Sequence, residues 1–221
     1  MTVLGTMDEW HDLLDSLMPD IVSLVIKAWN TMPAIAADAK EDPVSEELCR
    51  RLRAMKDLSN LPLQVHTQFV ELETADDSEQ GRIDIVFLPL VPNESIYFAL
   101  ECKRVNVRQT DGEIRRYFSE YVTEGLTRFV TGRYSHEVRH GGMLAFVLDG
   151  DIPSAISGIG KNIVAKRDVL QLIGTSLKRS RYDPDNDSLR ETEHSRSSEA
   201  GDVVVQHFIM GSGIPSAAST G

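Results

Sequence analysis

The chain has little cysteine, no long apolar run and no excess of positive charge. Its two cysteines, Cys49 and Cys102, stand far apart in 221 residues. They make neither a CxxC metal pattern nor a disulfide framework, and they suit a reduced, cytoplasmic setting. No apolar stretch approaches the ~18 residues of a membrane-spanning helix, so no membrane partner is expected. The opening residues MTVLGTMDEWHDLL lack a basic segment followed by an apolar core, so no secretory signal is expected there. The formal net charge of −11 argues against coating nucleic acid by bulk charge. No internal repeat is visible. Gly158–Gly160 is too short, and lacks the strand context, for a dinucleotide-binding loop.

What is present is enough apolar sequence, 41% of residues, for one sizeable core. Charge is unevenly spread. Residues 1–49 carry ten acids and two bases, whereas residues 101–140 carry six acids and eight bases. Positive potential therefore gathers in one part of an acidic chain, where a polyanion can still bind, especially beside a divalent cation.

Apolar spacing predicts a helix over residues 7–29, kinked or split at Pro19, and a second from Asp42–Pro43 to about Asp57. On the second helix Glu47 lies roughly 95° from the centre of the apolar face and can border a cleft; Glu46, at roughly 165°, points to solvent. Strands are expected at Leu63–Leu72, Arg82–Leu88 and Ile96–Val105, joined as an antiparallel meander, with a polar loop ETADDSEQG after the first. A long helix is expected from Asp111–Gly112 to about Thr131. Its buried stripe would include Ile114, Tyr117, Phe118, Tyr121, Leu126 and Phe129, with Arg115, Arg116 and Arg128 off it. MLAFVLDG reads as a buried strand. A weaker helix over Ile152–Leu172, interrupted at SGIG, a mobile polar loop over 176–201 and a last strand Val203–Met210 complete the order ααβββαβαβ. That order predicts an α/β fold with α+β character, a mixed central sheet flanked by helices. Residues 1–40 would be a helical extension packed on the core, 41–210 the main domain and 211–221 a flexible tail.

One stretch concentrates the chemistry. GRIDIVF places Asp84 in an apolar run, and YFALECKRV places Glu101 and Lys103 two residues apart in the next. Charges inside strand-like segments are costly unless paired, metal-bound or facing a cleft. Residues i and i+2 share a strand face, so Glu101 and Lys103 project together while Cys102 points into the core. If the two strands pair, Asp84 can join them. Two adjacent carboxylates suit a hard divalent cation such as Mg²⁺, and a neighbouring lysine can orient or deprotonate an attacking water and stabilise a phosphate.

This arrangement resembles the PD-(D/E)xK nuclease superfamily, over roughly Glu41 to Gly150. Asp84 matches the motif aspartate, with Ile83 rather than proline before it, and Glu101 and Lys103 match the ExK half. Glu47 matches the accessory acid of many members. The resemblance implies a restriction endonuclease-like core, with Asp84 and Glu101 (and Glu47) as metal ligands and Lys103 as the catalytic lysine. It further implies a Mg²⁺-dependent nuclease, with Mn²⁺ able to substitute, acting on DNA more readily than RNA and serving restriction or defence against foreign DNA. Arg104, Arg108, Arg115 and Arg116 are candidate backbone contacts; a solvated face is the plainer reading of Arg115, Arg116 and Arg128. The competing reading is a non-catalytic interaction subunit on this fold. Its acidic N-terminal helices would dock a partner, or a second copy of the chain. His136 and His140 read as loop residues, Asp149 and Asp151 as turn chemistry, and His194 and His207 lack metal-ligand spacing.

Overall fold

Apolar alternation in three successive segments produces three antiparallel strands, and two helices precede them. The computed structural model describes residues 5–70, 82–134, 136–196 and 201–212. The expected loop at 73–81 and residues 213–221 of the expected tail lie outside them.

Helix α1 (Met7–Trp29) opens on a capping box. The Thr6 hydroxyl accepts from the Glu9 N–H (3.3 Å), and the Glu9 carboxylate accepts from the Thr6 N–H (2.7 Å). The expected split at Pro19 does not occur: α1 runs through it, with Leu14, Met18, Ile21 and Val25 buried along one face. Tertiary packing outweighs the hydrogen bond a helical proline forfeits. Helix α2 (Glu41–Ser59) has its N-cap at Lys40, two residues before the expected N-cap Asp42, and ends on left-handed Asn60. That shift places Glu41 inside the first turn.

Strands β1 (Leu63–Val70), β2 (Arg82–Pro89) and β3 (Phe98–Val105) form the expected meander. The expected long helix over 111–131 is instead two structures. Short strands β4 (Val107–Arg108) and β5 (Ile114–Arg115) pair as a hairpin. Gly112 at φ +88° and an Asp111 carboxylate accepting from the Glu113 N–H (2.9 Å) make its turn. Ile114, assigned to a buried stripe, is 40% exposed. Helix begins only at α3 (Phe118–Glu120), widens to a π-helical segment (Tyr121–Leu126) and closes as α4 (Thr127–Val130).

Strand β6 (His140–Val147) is followed by α5 (Ile152–Ala165), which runs unbroken through SGIG and stops before Leu172. Two strands enter the expected mobile loop at 176–201, the end of β7 (Leu172–Arg179) and all of β8 (Leu189–His194), and β9 (Val203–Gly211) follows. Polar composition misleads there because the buried face of β8 is built from paired polar groups rather than apolar ones.

The result is a mixed seven-stranded sheet in the order β1-β2-β3-β6-β9-β8-β7. β3, β6 and β9 run parallel at its centre, and the outer pairs are antiparallel. One face packs against α1 and α2 through Phe87, Phe98, Leu100, Cys102, Leu144 and Phe146. The other carries Ala99, Met143, Ala145, Val205 and Ile209 against α3, the π segment, α4 and α5. No helix among the described residues is long and apolar enough to cross a membrane.

Candidate functional site

The β2–β3 register decides which charges meet. Ile85 pairs with Leu100, Val86 with Ala99 and Phe87 with Phe98. The pairing ends there, with Asp84 and Glu101 the next residue on each strand and close enough for the Glu101 charge to act on Asp84. The ladder opens at this step. The Cys102 N–H donates to Asp84 Oδ2 (2.7 Å), so a side chain takes the place of a backbone acceptor. Cys102 itself is buried in the α1–α2 face, as alternation requires.

Glu101 is 1% exposed. Its Oε1 accepts from Arg128 Nη1 at 2.7 Å and lies 3.0 Å from Lys103 Nζ. Its Oε2 is buried with no hydrogen-bond partner. Such an atom is costly unless something absent from the bare chain satisfies it. Burial, then the charge of Glu101, pushes the Asp84 carboxyl up to about 7, against the Cys102 hydrogen bond and the Lys103 charge. Burial alone would lower the Lys103 ammonium, but Glu101 and Glu41 outweigh it and hold the pKa above its ordinary value. Lys103 is therefore a cation at neutral pH, a donor and electrostatic stabiliser rather than a base.

Glu41 is the acid that helix α2 brings to this cluster. Its carboxylate reaches Lys103 Nζ (3.4 Å) and accepts from the Arg104 N–H (3.2 Å). Glu47 is not brought there. It lies six residues further along α2, roughly 9 Å of helix, and is held by Arg50 (3.0 Å) and Arg51 (2.7 Å). Arg51 also donates to the Thr31 carbonyl.

A cleft of about 510 Å³ opens beside Lys103 and Glu41, walled further by Arg104, Arg115, Tyr117 and Glu124. The guanidinium groups of Arg104 and Arg115 lie 5.4 and 4.3 Å from the Tyr117 ring centre. Tyr117 sits at φ +56°, a left-handed backbone that a non-glycine residue adopts at a cost. Arg104 and Arg115 are thus on the cleft. Arg116 turns to the Ser154 hydroxyl (2.9 Å), and Arg108 is an exposed residue of the β4–β5 hairpin.

Arg128, assigned to a solvated helix face, is instead a partner of the buried Glu101. The π segment supplies the reason, since a turn with one extra residue shifts the phase of everything after it. Gly125 lets that wide turn lie against the sheet, because a Cβ there would run into the Met143 side chain. Tyr134 completes the set: its hydroxyl accepts from Arg128 (2.8 Å) and donates to the Arg82 carbonyl on β2 (2.6 Å). Glu41 escapes sequence reasoning through a two-residue error in a helix start. Nothing in the sequence marks the role of Tyr134, because it comes from tertiary contact alone.

The remaining candidates fall elsewhere. His140 is buried 2.9 Å from Asp15, Asp149 accepts from Asn106 (2.9 Å), and Asp151 caps α5. His207 and His194 share the Thr192 hydroxyl (2.8 and 2.7 Å) in the core; burial above all pushes them down to about 3 and about 4, so both are neutral.

Among the described residues, no group of three or more His, Cys, Asp or Glu side chains is arranged to hold a metal ion. Asp84 and Glu101 are the pair that could. A cation that keeps several waters needs only one or two carboxylates, and the unpartnered Oε2 fits that demand. The chain matches no protein-family model, no curated protein and no solved structure.

Proposed function

We propose that the protein is a Mg²⁺-dependent nuclease that hydrolyses phosphodiester bonds in DNA, in the manner of the PD-(D/E)xK enzymes it resembles, with a role in restriction or defence. The observation that carries this reading is the β2–β3 pairing that brings Asp84 close to Glu101, with Lys103 on the same strand and a cleft lined by both bases and acids beside it. Asp84 and Glu101 would hold the divalent cation. When bound, it polarises a phosphoryl oxygen and acidifies a water.

The chain's own residues do the rest. Lys103, kept protonated by Glu101 and Glu41, donates to the scissile phosphate and stabilises the charge that develops there. Glu41 fixes both the Lys103 ammonium and the Arg104 backbone. Arg104 and Arg115, set around Tyr117, meet the flanking phosphates.

Plasmid cleavage with Mg²⁺ tests the reading. Wild type should cut, while Lys103→Ala and Asp84→Ala should each lose about 10²–10⁴-fold in rate without loss of fold. Wild-type protein that leaves both DNA and RNA intact across divalent metals sinks it. The second reading, a non-catalytic interaction subunit, draws on the pairing of Glu101 with two cationic side chains, which neutralises the acid without a metal. The same assay separates the two.

A further inference from the structure

Glu101 is a buried carboxylate with two cationic neighbours, and they are not equivalent. Lys103 is shared with Glu41. Among the described residues Arg128 pairs with no carboxylate but Glu101. Arg128 is also fixed from behind, through Tyr134 to the backbone of β2, the strand that carries Asp84. Both of these hydrogen bonds come from one nitrogen, Nη1, one to Oε1 of the carboxylate and one to the Tyr134 hydroxyl. Oε2 is left over, buried and unpartnered.

We propose that Arg128 is the resident counterion of Glu101: it faces and orients the buried carboxylate before a divalent cation arrives, and so sets how tightly that cation is held. The inference rests on reading Asp84 and Glu101 as the cation's ligands. The physical argument is one of linkage. A buried carboxylate that loses one of two cations, the one left being shared with Glu41, is destabilised. Without Arg128, the cation-free protein carries that cost and the cation-loaded protein does not, since the cation supplies the missing charge. The difference must reappear as tighter cation binding. With Arg128 in place, part of the acid's charge is already neutralised, and the cation gains less on entering. Arg128 is a positioning residue with an electrostatic setting, and the widened turn before it is what aims it.

The test is Mn²⁺ titration by calorimetry with thermal unfolding, on wild type, Arg128→Gln and Arg128→Lys, with Asp84→Ala as the baseline. Arg128→Gln should lower the melting temperature of the cation-free protein by about 6–12 °C. Saturating Mn²⁺ should return most of that loss, and Mn²⁺ affinity should rise about tenfold. Arg128→Lys, which keeps the charge, should stay near wild type in affinity. An equal loss of stability with and without Mn²⁺, with affinity unchanged or weaker, overturns the inference and leaves Arg128 a structural residue. If Arg128→Gln does not fold, the double variant Arg128→Gln/Glu101→Gln decides. Recovery of the fold supports the counterion role, and continued failure overturns it. Wild type without any Asp84-dependent Mn²⁺ binding sinks the metal reading and this inference together. Binding in wild type that Arg128→Gln does not tighten sinks the inference alone.

Discussion

Two glutamates lie buried in the sheet, and their surroundings could hardly differ more. Glu191 on β8 is 2% exposed and Glu101 on β3 is 1% exposed. Glu191 is saturated: its two oxygens accept from the Arg181 N–H (3.0 Å), the Arg181 guanidinium (3.1 and 3.2 Å) and Gln206 Nε2 (3.2 Å), with Lys178 3.3 Å away. Burial pushes its carboxyl up, but these hydrogen bonds and the Arg181 charge outweigh it and take it down to about 2. Glu101 has its cations on one oxygen and nothing on the other, and its neighbour Asp84 is pushed up to about 7. A finished network belongs to the fold. An unfinished one, beside a cleft, is where a ligand would complete it.

Matched substitutions should break this symmetry of burial. Glu191→Gln places an amide donor against Arg181 and leaves buried partners unmet, so unfolding free energy should fall by about 3 kcal/mol with Mn²⁺ binding untouched. Glu101→Gln keeps an acceptor for Arg128 and should cost about 1 kcal/mol, yet abolish Mn²⁺ binding. Equal losses in thermal unfolding would show that the two carboxylates are the same kind of structural acid.

pH sharpens the contrast, because the two ends of the sheet respond with opposite sign. Glu191 is depressed to about 2 from an ordinary 4.5, so its stabilisation is complete above pH 4.5 and is lost as pH falls toward 2. Asp84 is raised from 3.8 to about 7, so the native state holds a proton the unfolded chain has released. Its contribution is complete below pH 3.8 and is lost as pH rises through 7. Asp84→Asn should remove that decline and stabilise the protein above pH 7 by up to about 4 kcal/mol. Denaturant melts of both proteins at pH 5 and pH 8 measure it; parallel curves would refute the raised carboxyl.

The last test concerns packing. Gly125→Ala sets a methyl group against Met143 and should cost about 1–3 kcal/mol. Displacement of the wide turn should also loosen Arg128 from Glu101, read as a Mn²⁺ affinity that moves in the same direction as in Arg128→Gln. Destabilisation with unchanged affinity would confine Gly125 to the core.

Much of the site and its sheet is legible in the residues themselves. Alternation places Glu101 and Lys103 together and Cys102 behind them, and the meander of β1, β2 and β3 follows from short apolar runs bounded by turns. The position of Asp84 needs the register, which only pairing supplies. The helix expected from Asp111 fails because Gly112, Asp111 and the left-handed Tyr117 favour a hairpin, and the apolar count across them imitates a stripe. β7 is hidden because most of its residues are exposed, and β8 because polar side chains fill its buried positions, Glu191 against Gln206 and His194 against Thr192. Glu41 and Arg128 are lost to small counting errors, two residues at a helix start and one inside a π turn.

That last feature can be restated in terms of length. A π turn is, in sequence, a one-residue insertion in a helix. Wound as ordinary α-helix with every residue kept, the segment would swing Arg128 by about 100°. Every acid and lysine of the candidate site would still be encoded in the same order, yet Glu101 would have lost its fixed cation. The aim of that guanidinium is therefore written in the one residue that the wide turn takes up between Phe118 and Arg128.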